Sequence, residues 1–102
     1  MDIFINSILK MTADAAVNIS INKGYNLTNE QISAAMPEIF KRELPISLKI
    51  IQADAKQADI FGGLDRKKPV IHELVRAAVT ISIKAEAVRI AKIIIQKALE
   101  SK

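Results

Sequence analysis

Apolar and polar positions change sides along the last third of this chain. Between Pro69 and Lys102 the spacing predicts one helix. At about 100° of rotation per residue, Glu73, Arg76, Thr80 and Lys84 share one narrow arc. Past Ala85 the polar residues Glu86, Arg89, Lys92, Gln96, Lys97 and Glu100 occupy roughly the opposite side. One straight helix on one core cannot bury both stripes. The segment must kink, break, or meet two different partners.

Earlier in the chain the pattern predicts three more helices. Phe4, Ile8, Met11, Ala15 and Ile19 have helical spacing, which places a first helix from about Asp2 to about Ser20, with Gly24 as its stop. Residues Asn22 to Asn26 then form a turn. Thr28 as N-cap and Gln31 three positions on make a capping box for the second helix, with Leu27 stapled onto Ile32. Its apolar positions Ile32, Met36, Ile39, Phe40 and Leu44 run through Pro37, where a kink is expected because proline has no N–H to give the Ser33 carbonyl. Pro45 suits the first turn of a third helix, with Leu48, Ile51, Ala55 and Ala58 as its buried stripe and Gly62-Gly63 as its end. Pro69 opens the last helix, since the residue before a proline is pushed out of the helical region.

An internal echo complicates this reading. The octet beginning at Ala15 matches the octet beginning at Ala77 at six of eight places, and both alternate apolar and polar residues, the period of a strand. A short non-helical break at Val79 to Lys84 would also account for the change of face.

The expected fold is therefore all-α: about four helices in an irregular bundle, a single domain over residues 1–102, with a long C-terminal helix that is kinked, broken or doubly partnered. Half the chain is apolar, mostly Ile and Ala, so a core forms without staples. With no Cys, disulfides, thiolate metal sites and cysteine nucleophiles are excluded. The start Met1-Asp2 is acidic where a signal peptide is basic, and no apolar run reaches membrane-spanning length. The expectation is a cytoplasmic protein.

Chemistry-bearing patterns are sparse. His72, the sole histidine, sits beside Glu73, but adjacent helical residues do not face each other, so no partner orients the ring. The acids have no metal-ligand spacing, and Gly62-Gly63 lacks the ending of a phosphate-binding loop. Glu38 with Arg42, and Glu86 with Arg89, read as ordinary helix-surface pairs. No catalytic residue, cofactor or metal is assigned, and the expectation is that the chain is not an enzyme.

Two binding roles remain. An unbroken last helix of about 33 residues would be about 50 Å long. A compact domain of this size has a radius of gyration of only about 13 Å, so such a helix would overhang it. The first expectation is thus a self-assembly or protein–protein module, a homodimer or a complex with another helical protein. Its interface would be Ile83, Ala87, Ile90, Ile94 and Ala98. The alternative is a nucleic-acid-binding accessory protein. Net charge is +4, and from Arg66 onward nine Lys or Arg face three Glu. Arg66, Lys67 and Lys68, just ahead of a helix N-terminus, would hold an anion, joined by Arg89, Lys92 and Lys97.

Overall fold

The computed structural model describes residues 2–62 and 70–101, and the described residues are helical throughout apart from one turn. There are three helices: α1, Asp2–Lys23; α2, Asn29–Gly62; and α3, Val70–Glu100. The expected second and third helices are one. Pro45 lies inside α2 together with Pro37. Both prolines are exposed, as are Ser33 and Lys41, whose carbonyls lose their helical donors. Both interruptions fall on the exposed side of α2, where water can replace the missing donor, so neither proline ends the helix.

The turn after α1 follows from two residues that accept a left-handed backbone. Gly24 has φ +66° and Asn26 φ 57°. The Gly24 amide donates to the Ile21 carbonyl at 3.2 Å and the Tyr25 amide to the Ser20 carbonyl at 3.1 Å. This is the paired C-terminal cap known as the Schellman motif. A Cβ at Gly24 would meet no atom within 4 Å, so Gly24→Ala suffers only from backbone conformation. It should cost about 1 kcal/mol, read by urea denaturation. The capping box at the next helix forms reciprocally: the Thr28 amide donates to Gln31 Oε1 at 2.8 Å, and the Gln31 amide to Thr28 Oγ1 at 3.1 Å.

Helices α2 and α3 run antiparallel, because their cross-links descend on one as they ascend on the other. Ser82 meets Asp54, Glu86 meets Ser47, Arg89 meets Glu43, and Lys97 meets Glu38. The tight turn sends α2 back alongside α1, yet α1 packs chiefly on α3. At about 1.5 Å per residue, α2 and α3 are about 50 Å long and α1 only about 33 Å. The molecule measures 55 × 24 × 19 Å, with a radius of gyration of 16.1 Å. The last helix is therefore as long as expected. Its length is matched by α2, within the same chain.

This arrangement explains the change of face. Helix α3 is continuous through residues 79–85, with no strand and no break, and both copies of the echoed octet are helical. Helical spacing puts Arg76, Thr80 and Lys84 on the same side of α3 as Ala87, Ala91 and Ala98. The first three are exposed and the second three buried. The end of α1 lies beside the end of α3, where Ile19, Lys23 and Tyr25 share a cleft with Lys92, Ile95 and Leu99. So α1 covers that side of α3 only along its second half. Beyond the reach of α1, the same side meets water and is polar. Of the three alternatives, two partners is the answer, and both are intramolecular.

The core holds Ile8, Ile32, Ile39, Ile51, Ile90, Ile94 and Ile95 with Ala16, Ala35, Ala91 and Ala98. The buried ridge of α1 is Ile8, Thr12, Ala16 and Ser20; of the expected stripe Ile8 is on it, Met11, Ala15 and Ile19 are half-buried beside it, and the Phe4 side chain lies outside the described residues. Thr12 is admitted because its hydroxyl donates to the Ile8 carbonyl at 2.7 Å, one turn back.

Candidate functional site

The α2–α3 seam carries a polar cluster. The Arg89 guanidinium donates through Nη1 to Glu43 Oε1 at 2.6 Å, through Nε to Glu86 Oε1 at 2.9 Å, and through Nη2 to Ser47 Oγ at 3.1 Å. Ser47, fully buried, donates to Glu86 Oε1 at 2.8 Å. The second oxygen of Glu43 accepts from Arg42 Nε at 3.0 Å. Two nearly buried carboxylates are thus balanced by two guanidinium groups. No buried side-chain nitrogen or oxygen among the described residues lacks a partner. The Glu86–Arg89 pair is therefore an inter-helix device rather than a surface pair. Glu38 bonds Lys97 across the seam, not Arg42.

The hydrogen bonds from Arg89 and then Arg42 hold the Glu43 carboxyl below its ordinary value of 4.5. The Arg89 guanidinium is in turn held more firmly protonated, first by Glu43. A carboxyl depressed in the folded state stabilises above its unfolded value and loses that contribution as protons bind. Stability should therefore decline as pH falls below 4.5. Glu43→Gln should flatten that decline in thermal melts taken from neutral to acid pH.

One flank of the same seam is apolar and open. Ser82–Asp54 and Glu86–Ser47 bonds set Ile50 level with Ala85, and Ile46 level with Val88. Asp54, Gln57, Ala78, Ile81 and Ala85 line an open groove of about 420 Å³ there. Ile46, Ile50 and Gln57 share one stripe of α2, and Ile81, Ala85 and Val88 one stripe of α3, by helical spacing. Ile81 is 68% exposed, Ile46 48%, Val88 40% and Ile50 37%. Leu44 and Leu48, on the other flank of α2, pack against the core instead. The strip thus lies on the side of the hairpin away from α1. Its exposed apolar area is of the order of 400 Å², the size of the largest patch on an ordinary monomer, which is often a functional one.

The sequence-derived candidates fall elsewhere. Ala87, Ile90, Ile94 and Ala98 are at most 2% exposed, and Ile83 is half-buried. They were expected to meet a second chain, but their partners are α1 and α2. Arg66, Lys67 and Lys68 lie outside the described residues, and His72 is helical with its side chain likewise outside them. Of the late-helix cations, Arg89 and Lys97 are engaged by glutamates, while Lys92 has no ion pair among the described residues. No group of three or more His, Asp or Glu among the described residues could hold a metal. No described helix is long and apolar enough to cross a membrane. The strip itself was missed by sequence reading, although the spacing of Ile46 with Ile50 and of Ile81 with Val88 was visible. What decides it is that no third helix among the described residues covers that side.

Compared with protein-family models, curated proteins and solved structures, the chain matches none.

Proposed function

We propose that this chain is a small non-catalytic helical module that docks another helical protein on the open flank of the α2–α3 hairpin. The observation that carries this reading is the strip of Ile46, Ile50, Ile81 and Val88, left exposed beside a core that excludes water from Ile90 and Ile94. An apolar stripe at helical spacing is the kind of surface on which a partner helix lies. The nucleic-acid reading has less to stand on, because Arg89 and Lys97 spend their charge on glutamates within the chain.

Photo-crosslinking in the cell tests the proposal. A benzophenone amino acid in place of Ile81 should give one discrete adduct. The same group in place of Ile21, which is 70% exposed on α1, should not. The captured protein, once purified, should bind the native chain and not the Ile50→Asp/Ile81→Asp double variant. An adduct of twice the chain's own mass would identify a homodimer instead of another protein. Identical crosslinking from both positions would overturn the docking reading.

A further inference from the structure

The flanks of the strip specify what sits on it. Its nearest surface neighbours lie three or four positions away on the same helix. For Ile46 these include Arg42 and Lys49; for Ile81 and Val88 they include Lys84; for Val88 also Lys92. All four cations are exposed. The acids in the same positions are Glu43, whose charge is shared with Arg42 and Arg89, and Asp54, which accepts from the Ser82 hydroxyl at 2.7 Å and keeps its charge. Lys49, Lys84 and Lys92 have no ion pair among the described residues. The strip is an apolar stripe with a net positive rim, three unpaired lysines against the single carboxylate of Asp54.

Resting on the docking role proposed above, we infer that the occupant is an amphipathic helix whose apolar face is bordered by Asp or Glu. A second copy of this chain fits less well, since it would bring a rim of the same sign against the first. The strip from Ala78 to Val88 is about 15 Å long, so the partner helix needs about three turns.

The test uses two stapled helical peptides with the same leucine stripe, one flanked by Glu and one by Lys, titrated into the full chain by fluorescence anisotropy. The Glu-flanked peptide should bind at least about fivefold tighter at low salt, and the gap should shrink in ~0.5 M salt, where charges are screened within a few ångströms. Reversing Lys49, Lys84 and Lys92 to Glu should invert the preference. Changing them to Gln should abolish it while leaving residual binding. Ile81→Asp should weaken both peptides.

Equal binding of the two peptides would overturn the acidic partner and leave the docking surface standing. Failure of both peptides while the position-81 adduct still forms would overturn this inference alone. Failure of both together with loss of the adduct would overturn the docking reading too. A doubled solution mass that Ile81→Asp returns to monomer would make the occupant a second copy. Binding to vesicles of anionic phospholipid in preference to either peptide would make it a membrane surface. Either of these results overturns the inference.

Discussion

Ile90→Asp should unfold this protein. Ile90 is 0% exposed, at the meeting point of all three helices, and α1 and α2 leave no path by which a carboxylate there could reach water. A buried, unpaired charge combined with a lost isoleucine costs more than about 4 kcal/mol, a large share of the 5–15 kcal/mol that holds a domain of this size. Circular dichroism should show lost helicity at room temperature, or a midpoint lowered by tens of degrees. Ile81→Asp on the same helix is the control. It replaces a side chain that is 68% exposed and should change stability by no more than about 0.5 kcal/mol. The pair separates an internal core from an external interface. If Ile90→Asp instead left a folded chain whose mass had merely halved, Ile90 would belong to a contact between copies, as the spacing of the last helix first suggested.

The second large effect belongs to the seam. Arg89→Met strands Glu43 and Glu86, whose side chains are 10% and 9% exposed, without their shared guanidinium. Breaking such a pair from one side costs about 3 kcal/mol, most of it the penalty of leaving Glu86 buried without a cation, while Glu43 keeps Arg42. Replacing all three together, as Glu43→Leu, Glu86→Leu and Arg89→Met, should restore stability to the native level or above, because desolvation of the ions offsets much of their attraction. The triple variant keeps its midpoint but loses the central cross-links that align α2 on α3, retaining only Ser82–Asp54 and Lys97–Glu38 towards the two ends. Urea titrations of the single and triple variants measure the first effect. The dispersion of amide resonances reports the second.

Much of this fold was legible in the sequence, and the failures share a cause. The capping box at Thr28 and Gln31 and the stop at Gly24 are local, made by residues within a few positions of one another. They form as expected. The merging of two helices at Pro45 was not legible, because the same residue suits both a first turn and an interior site that faces water. Only the exposure of Lys41 and Pro45 distinguishes the two. The buried ridge of α1 was misread for a related reason. Thr12 and Ser20 look polar in a sequence, yet their small side chains let α3 approach closely. The change of face along α3 was read as a kink, a break or two partners, and only the last of these holds, because the helix is continuous. That both partners come from the same chain depends on lengths, 22 residues in α1 against 34 and 31 in the others. The Arg89 cluster joins positions 46 apart. Nothing in the local pattern distinguishes Glu86 from a solvated acid until Glu43 is placed opposite it.

The mismatch of helix lengths also grades stability along the long axis. Where α1 is present, each turn of α3 is held on two sides, and opening it requires the whole molecule to unfold. Past the start of α1, α2 and α3 hold each other, among the described residues, by half-buried side chains such as Ala55, Val75 and Ala78. There the two helices can part at a cost well below that of global unfolding. The docking strip straddles this boundary, with Ile46 and Val88 on the firm side and Ala78 and Gln57 on the other. A helix laid across it would supply the stem with a third wall, on the flank opposite the one that α1 covers.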